Sequence, residues 1–461
     1  MKKIVCVLFL MLVLLCACST AQQEQPVTVP TTPTVPTEPP TADLGGVKVE
    51  LGASSLNLAG EVFDLDLLIS AAPKLEQLVH IDLGQTELSG TQIKQLEDAY
   101  PNAEIDYSLS FLGQTLTRDT VGIDASTMSV EQTDELLDLI PILPLLKEII
   151  FVSEDGSCVY GIEDISELDR IRQAFPDLYL RVRFDLFGQT VTSEDQRIEY
   201  YLVDIGNEGV DTVRAVLPYL RSCVYFLMDG CGIDYEILAQ MRDDFPETEI
   251  VWRVWLIPEN YNSPKAMRGA SLLTDTHRVR TIHVRDENAH LLNYCTKTKY
   301  LDIGHIPSLT TCEFLRYMPD LEVCILAITG IVDISPLENH EKLEYLELFT
   351  SDIYDLTPLA SCPNIEHLNI SNMQYLRDLS PLYGLKKMKR LRMVRNASLS
   401  YEEKNKLMEQ LPDCEFLNRG EWPTTGTWRW VDATRTERVE RYALLCEQME
   451  YAIDYQVYGI D

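Results

Sequence analysis

One pentapeptide occurs three times in the chain, as Asp333-Ile334-Ser335-Pro336-Leu337, Asp355-Leu356-Thr357-Pro358-Leu359 and Asp378-Leu379-Ser380-Pro381-Leu382. The prolines of successive copies lie 22 and then 23 residues apart. A fixed period of this length is typical of a solenoid, in which each repeat buries its apolar face against its neighbours. The pentapeptide therefore predicts a repeat array in this part of the chain.

An apolar pattern of the form L-x-x-L-x-L precedes each pentapeptide. Its last two positions alternate with polar residues, as in a strand with one buried face. The Ser/Thr-Pro-Leu that follows predicts a short helical turn, capped by the hydroxyl residue and with proline in its first position. The pattern occurs at Leu321/Cys324/Leu326, Leu343/Leu346/Leu348, Ile365/Leu368/Ile370 and Met388/Leu391/Met393, with weaker copies at Val279/Ile282/Val284 and Thr298/Leu301/Ile303.

Residues 279–400 resemble the leucine-rich repeats of internalin-type bacterial surface proteins, in the class with 22 residues per repeat. The resemblance rests on the leucine pattern and on the D-[IL]-[ST]-P-L pentapeptide. It implies an α/β leucine-rich-repeat solenoid over residues 279–418. The asparagine that the family places after each strand is Thr329, Ser351 and Met373 here, and only Asn396 conforms. We therefore expect turns that are less regular than those of the family.

A longer repeat runs through the N-terminal half. Its landmark is an aromatic residue followed by proline after an amphipathic helical stretch, and Gly-Gln-Thr at 113–115 and 188–190 predicts hairpin turns downstream. Pro258 replaces the glycine in the third copy. We expect residues 45–278 to form irregular α/β repeats that stack into the regular array, and a separate α/β domain is the alternative. The leucine pattern recurs here at Leu78/Ile81/Leu83, Leu146/Ile149/Phe151 and Leu220/Cys223/Tyr225.

The first residues have the character of an export signal. Lys2 and Lys3 precede an apolar run that ends at Leu15, which is too short to span a membrane. The stretch Leu15-Cys16-Ala17-Cys18 resembles the lipobox of bacterial lipoproteins, which implies cleavage before Cys18 and attachment of lipid such as palmitate to its thiol. An ordinary signal peptide with a chance cysteine is the alternative. We expect a lipoprotein signal peptide over residues 1–17.

Residues 18–44 predict a stalk that follows the lipid anchor. The part from 19 to 43 carries six prolines, many threonines and few apolar residues. Such a composition stays extended, at about 3.1 Å per residue in proline-rich chains, and buries no core. We therefore expect a protein held to the cell membrane by the lipid on Cys18, on the extracellular face of a bacterium of Gram-positive type.

Charge and cysteine content limit the classes of partner. The formal charge of −33 argues against nucleic acid and against docking of the folded part on anionic lipid. Nine cysteines follow Cys18, none spaced like a zinc site, and Cys223 and Cys324 fall on apolar positions of the leucine pattern. We expect buried thiols and no metal or cofactor, with a disulfide between Cys223 and Cys231 as the alternative.

Catalytic motifs are missing from the sequence. It contains no H-E-x-x-H, no G-x-S-x-G and no glycine-rich phosphate loop. We therefore expect a protein that is not an enzyme. An extracellular hydrolase that uses two of the 72 acidic residues is the alternative, although nothing in the sequence singles out a pair.

The polar positions of the repeat strands predict the binding surface. These positions stack into columns on the concave face, where aromatic and charged side chains lie together as they do in many interfaces. We expect a monomeric protein that binds a protein or glycan outside the cell through this face. An ordinary solvated face is the alternative, as is a structural spacer or assembly factor of the cell envelope. The predicted contact residues are Tyr300, Asp302, Tyr345, Glu347, His367, Asn369, Arg390 and Arg392.

A tryptophan-rich stretch follows the repeats. Trp422, Trp428 and Trp430 lead into a helix predicted over about 436–452. Because the last repeat of a solenoid leaves its core open, we expect residues 419–461 to form a hydrophobic C-terminal cap. An aromatic platform that binds sugar is the alternative.

Overall fold

The structure, a computed structural model, describes residues 39–257, 270–420, 422–425, 427–431 and 434–449. The predictions for the signal peptide, for Cys18, for most of the stalk and for Pro258 lie outside these residues. The described residues fall into two units, which meet in the sequence between Leu109 and Ser110. None of the helices among the described residues combines the length and the apolar character that crossing a bilayer requires.

The first unit is built on three parallel strands and two helices. Leu56 pairs with Ile81, which pairs with Ile105, and all three are buried under the helices. The second helix begins with a capping box between Ser89 and Gln92, which satisfies donors of its first turn. The elements are β1 (Thr41–Asp43), β2 (Lys48–Glu50), β3 (Ser55–Asn57), α1 (Leu65–Ala71), β4 (His80–Gln85), α2 (Gly90–Ala99) and β5 (Glu104–Phe111), which extends into the second unit.

The same plan of three parallel strands and two helices occurs twice in the second unit. Strands β7, β8 and β9 form one such sheet and β12, β13 and β14 another, while β10–β11 and β15–β16 are antiparallel hairpins. The elements are β6 (Gln114–Leu116), β7 (Gly122–Asp124), α3 (Thr133–Leu139), β8 (Glu148–Ile150), α4 (Ile165–Ala174), β9 (Tyr179–Arg181), β10 (Arg183–Leu186), β11 (Gln189–Thr192), β12 (Arg197–Tyr201), α5 (Val210–Val216), β13 (Tyr225–Asp229), α6 (Tyr235–Asp244), β14 (Glu249–Val251), β15 (Arg253–Trp255) and β16 (Ser271–Leu273).

The hairpin turn predicted at Gly188 is confirmed. Phe187 and Gly188 have φ values of 49° and 81°, and Leu112 and Gly113 have 49° and 76°. Two successive residues with positive φ form a turn whose twist matches that of the flanking strands.

The longer repeat itself contains more regular structure than the sequence predicted, since each copy holds three parallel strands rather than one.

A seven-stranded parallel sheet contains the regular repeats. One apolar residue of each strand points into the core, and successive core residues pair in register from Val279 through Leu301, Cys324, Leu346, Leu368 and Leu391 to Phe416. The elements are β17 (Arg278–Arg280), β18 (Tyr300–Asp302), β19 (Val323–Ile325), β20 (Tyr345–Glu347), β21 (His367–Asn369), β22 (Arg390–Arg392), α7 (Tyr401–Gln410), β23 (Glu415–Leu417) and α8 (Glu440–Gln448).

The register of two predicted leucine patterns is wrong by three residues. Val279 pairs with Leu301 and so occupies the second position of its pattern, not the first. In the longer repeat, Phe226 of β13 pairs with Ile250 of β14 and so occupies the second position of its pattern. Cys223, three residues before Phe226, therefore takes the first position and not the predicted second one. An L-x-x-L pattern can be matched three residues too early or too late when a further apolar residue lies three positions before or after it, and only strand pairing decides between the two registers.

The helical turn in each of the three pentapeptides is capped by aspartate and not by the predicted hydroxyl residue. Asp333, Asp355 and Asp378 each accept a hydrogen bond, 2.8 Å long, from the backbone N–H two residues later. The turns are single 3-10 helices with proline near the start, such as Ser335–Leu337 and Thr357–Ser361, and no Ser or Thr side chain caps them. The first residue of the pentapeptide therefore fixes the start of the turn.

The loops that follow the repeat strands are more regular than the incomplete asparagine column predicted. One residue of each loop has a left-handed conformation, with φ between 55° and 64° at His305, Ile328, Thr350, Asn372 and Arg395. In two of these loops the residue at the asparagine position, Thr329 or Ser351, donates its hydroxyl to the backbone carbonyl three residues earlier. Small hydroxyl side chains therefore replace part of the asparagine column.

The nine cysteines of the described residues are free thiols. Eight are buried and Cys158 is half-buried. Cys223 donates to the carbonyl of Tyr225, whereas Cys231 lies near the carbonyl of Tyr200. The prediction of buried thiols is confirmed for eight of these residues but not for Cys158, and the disulfide between Cys223 and Cys231 is not formed.

Candidate functional site on the strand face

The strand face is the side of the seven-stranded sheet that carries the first and third residues of each strand. Successive side chains of a strand point to opposite sides, so these residues lie opposite the core leucines. On β20, for example, Leu346 points into the core while Tyr345 and Glu347 lie on the strand face. All eight predicted contact residues belong to this face.

The C-terminal segment covers much of the strand face. It consists of the described residues 422–425, 427–431 and 434–449. Its aromatic and aliphatic side chains form one buried cluster with residues of β19 and β20. The cluster contains Val323, Ile325, Ala327, Tyr345, Phe349, Trp428, Trp430, Tyr442, Leu445, Cys446 and Met449.

Glu347 is the polar centre of this contact. Its side chain is fully buried, and its carboxylate binds both the strand face and the C-terminal segment. Trp428 Nε1 donates to Oε1 at 2.8 Å and Arg429 Nε donates to the same oxygen at 2.9 Å. Arg429 Nη2 donates to Oε2, and the Tyr345 hydroxyl donates to Oε1. Four donors therefore replace the water that burial removes from this carboxylate.

Arg429 lies among aromatic rings on the other side of this ion pair. Its guanidinium carbon is 5.1 Å from the ring centre of Tyr442 and 5.7 Å from that of Phe349. Burial acts to lower the pKa of Arg429, but the Glu347 carboxylate together with the nearby Tyr442 and Tyr345 outweighs it, so the pKa is raised well above its ordinary value. Burial, with Glu347 second, also raises the pKa of Tyr345 well above its ordinary value. Both side chains therefore keep their protons.

Side chains of β21 and β22 bind the backbone of the C-terminal segment. Asn369 Nδ2 donates to the carbonyl of Pro423 at 3.1 Å, and Arg392 Nε donates to the same carbonyl at 2.9 Å. Arg392 Nη2 donates to the carbonyl of Trp422 at 2.8 Å. Burial, with the nearby charge of Arg390 second, lowers the pKa of Arg392 to about 10. This part of the strand face recognises main-chain acceptors.

His367 is buried between the ion pair and these backbone contacts. Its ring centre is 6.0 Å from that of Tyr345, and its Nδ1 is buried without a hydrogen-bond partner among the described residues. Burial, followed by the charges of Arg441 and Arg390, lowers the pKa of His367 to about 4. The imidazole is therefore neutral near pH 7 and packs as an apolar ring.

The structure divides the eight predicted contact residues into two groups. Tyr345, Glu347, His367, Asn369 and Arg392 are buried, and in this structure the C-terminal segment of the same chain lies over them. The other three, Tyr300, Asp302 and Arg390, keep part of their surface exposed. Their role as ligand contacts stays a prediction.

Sequence reasoning did not pair Glu347 with Arg429. The two residues are 82 positions apart, and no repeat period connects them. The one available signal was the alternation Trp428-Arg429-Trp430 in a chain of strong negative charge. It places a cation between two large apolar side chains, as a segment that binds an acidic, partly apolar surface requires.

The end of the strand face near Tyr300 remains open. A cavity of about 640 Å³ lies there, and its wall includes Arg253, Asp275, His277, Arg278, Lys299 and Tyr300. Arg253 pairs with Asp229 at 2.8 Å, and Arg278 Nε donates to the carbonyl of Gln448 near the end of α8. The cavity therefore borders the far end of the C-terminal segment. No group of three or more His, Cys, Asp or Glu side chains suited to a metal occurs in the described part of the chain.

The structure is similar to solved leucine-rich-repeat proteins. Internalin C2 of Listeria monocytogenes matches with 21% identity over 29% of this chain and 70% of its own, with a TM-score of 0.22. Internalin F of the same species matches with 15% identity over 80% and 82%, with a TM-score of 0.26. A leucine-rich-repeat protein of Leptospira interrogans matches with 14% identity over 74% and 90%, with a TM-score of 0.30.

The fold of this chain is that of a leucine-rich-repeat solenoid. The predicted fold class, an α/β leucine-rich-repeat solenoid, is confirmed by the parallel strands and by the repeat turns described above. No family model matches the sequence, and no curated protein matches it. At these identities and TM-scores, the solved leucine-rich-repeat structures carry no information about the ligand of this one.

Proposed function

We propose that this chain is a non-catalytic surface protein, anchored to the bacterial membrane by lipid on Cys18, that recognises a polypeptide through its strand face. The predicted signal peptide of residues 1–17 and the stalk of residues 18–44 support the anchoring. The proposed location is the extracellular face of a Gram-positive cell, and the protein is proposed to act as a monomer.

One observation carries the recognition part of the proposal. In the structure, the strand face already holds a polypeptide, which is the C-terminal segment of the same chain. Glu347 binds two of its side chains, while Asn369 and Arg392 bind its backbone carbonyls. The combination of an apolar floor, one buried charge and donors to main-chain oxygens is typical of peptide recognition. It favours a protein over a glycan as the partner.

Cross-linking on intact cells tests this proposal. A photoreactive amino acid replaces Tyr300, which is partly exposed beside the open cavity, and in a control protein it replaces Glu338, which is exposed beyond a repeat turn. We expect a protein adduct from position 300 and none from position 338. Equal labelling at both positions, no adduct at position 300, or an adduct that glycosidase digests and protease does not, would contradict the proposal.

A structural role in the cell envelope is the second candidate function. Burial of five of the eight predicted contact residues inside the chain favours it, because a face closed by its own segment needs no external ligand. A spacer depends on its reach from the membrane. Deleting residues 20–43 would then abolish function in the cell, whereas a recognition protein would keep its cross-link at position 300 with purified partner.

A further inference from the structure

The contacts of the C-terminal segment extend across most of the seven-stranded sheet. Arg278 on β17 donates to the carbonyl of Gln448, and Arg390 on β22 donates to the carbonyl of Thr427. Among the described residues, no strand of the segment pairs with the sheet, so side chains of the strand face make the contact. The segment therefore lies on the face in the manner of a bound ligand.

Glu347 restricts what can lie on the centre of this face. Any polypeptide that covers it removes the carboxylate from water, and a buried carboxylate is strongly unfavourable unless a cation and further donors replace the water. Arg429 supplies the cation and Trp428 supplies a neutral donor. An occupant without a cation at this point would leave a buried, uncompensated charge.

The surroundings of Glu347 favour arginine over lysine as that cation. Arg429 contacts both carboxylate oxygens through two nitrogens, which the single ammonium of lysine cannot reproduce with the same geometry. Its planar group also lies near the rings of Phe349 and Tyr442. Stacking of a guanidinium on aromatic rings adds to the preference.

The residues on either side of the arginine have to be aromatic. Trp428 and Trp430 are both buried in the cluster on the strand face, and the Trp428 ring centre is 5.7 Å from that of Tyr345. Large aromatic side chains bury much apolar area per residue, and tryptophan also carries a donor that reaches Glu347. The formal charge of −33 adds long-range attraction for a cationic segment.

We propose that the strand face is a binding site for polypeptide segments that carry an arginine between two aromatic residues, and that the C-terminal segment, as defined above by its described residues, fills this site in the chain itself. This inference rests on the proposed function and names the class of its partner. A partner of this chemistry binds by displacing the C-terminal segment, which the chain holds in place at the high effective concentration of a tethered ligand.

Rescue by a peptide in trans tests the inference with the full-length protein. In an Arg429→Ala variant the tethered segment no longer supplies the cation to Glu347. We expect a fluorescent peptide with the sequence of residues 421–449 to bind this variant, measured by anisotropy, and to bind the unchanged protein at least tenfold more weakly. An Arg435→Ala variant, altered at an exposed arginine of the same segment, serves as the matched control and should behave as the unchanged protein.

Changes in the peptide test the required chemistry. We expect peptides with Arg429→Lys or Trp428→Ala to bind the Arg429→Ala protein at least tenfold more weakly than the unchanged peptide, while Arg435→Ala, at an exposed position, has less than a threefold effect. Circular dichroism establishes that the variant protein is folded. If a folded Arg429→Ala protein does not bind the unchanged peptide, or binds the lysine peptide equally well, the inference is wrong.

A second measurement covers the case in which the Arg429→Ala protein does not fold. A specific protease site inserted after Gly420, which is exposed, allows cleavage of the otherwise unchanged protein after folding. The labelled peptide should then exchange for the cleaved fragment, and failure to exchange overturns the inference. Cross-linking from position 300 reports on the proposed function separately, because peptide binding without a cellular adduct contradicts only that function.

Discussion

Glu347 and Arg429, 82 residues apart in the chain, form a buried ion pair between the strand face and the C-terminal segment. Arg429 donates to the Glu347 carboxylate through both Nε and Nη2, and Trp428 Nε1 donates to one of the same oxygens. A buried ion pair adds little net stability compared with apolar groups of the same shape, but it strongly disfavours arrangements in which one partner is missing. The pair therefore fixes where the C-terminal segment lies.

Neutralising Glu347 should destabilise the protein strongly. We expect Glu347→Gln to lower the free energy of unfolding by about 3–5 kcal/mol, because Arg429 would be left as a buried cation without a counter-charge. Urea unfolding followed by tryptophan fluorescence measures the loss. The matched control is Glu344→Gln, at an exposed position three residues earlier, with an expected change within about 0.5 kcal/mol. A similar small change for Glu347→Gln would mean that the ion pair does not form.

The aspartates of the pentapeptide should contribute equally to stability. We expect Asp333→Ala, Asp355→Ala and Asp378→Ala each to lower the free energy of unfolding by about 1 kcal/mol, since each removes one capping hydrogen bond of the same length. Thermal and urea unfolding provide the comparison. Asp352→Ala, at an exposed position before the second copy, should have almost no effect. Loss at only one of the three sites would contradict a repeated cap.

His367 should make stability depend on pH. Its pKa is about 4 in the folded protein against 6.5 for a free imidazole, so the unfolded chain binds the proton first as the pH falls. We expect the free energy of unfolding to decrease between pH 6.5 and 4, by up to about 3 kcal/mol from this residue, and to level off below that range.

The His367→Gln variant isolates this contribution. The positive charges of Arg441 and Arg390 lower the pKa of His367, while the negative charge of Glu366 raises it. Replacing the imidazole removes the effect of all these charges on the protonation of this residue. Urea unfolding at a series of pH values should give a smaller decrease for the variant than for the unchanged protein. Parallel curves for the two proteins would show that the pKa of His367 is the same in the folded and the unfolded chain, and would contradict the prediction.

Thiol reactivity should distinguish Cys158 from the other cysteines of the folded part. Burial raises the pKa of Cys223 to about 11 and that of Cys414 to about 12, which suppresses the reactive thiolate. We expect a chain that begins at residue 39 to show one thiol that reacts rapidly with a disulfide reagent and eight that react only after denaturation. Mass spectrometry of the labelled peptides should place the rapid label on Cys158.

The repeat register illustrates how much the sequence contains. The spacing of Pro336, Pro358 and Pro381 was sufficient to predict parallel strands at 22–23-residue intervals, because each repeat must present the same apolar residue to the core. The pattern at Val279 was placed three residues too late, since local spacing alone does not decide between overlapping L-x-x-L matches. Pairing with Leu301 decides it.

The sequence by itself determined the solenoid, the positions of the repeat strands from β18 to β22 and the set of side chains on their strand face. Local periodicity sets these features, because burial of one face of each repeat depends on residues within about 25 positions. Only the tertiary structure decided that Glu347 and Arg429 meet and that the C-terminal segment lies across the strand face. A contact between a repeat and a segment outside the repeats follows no period, and its position depends on burial and charge compensation between distant parts of the chain.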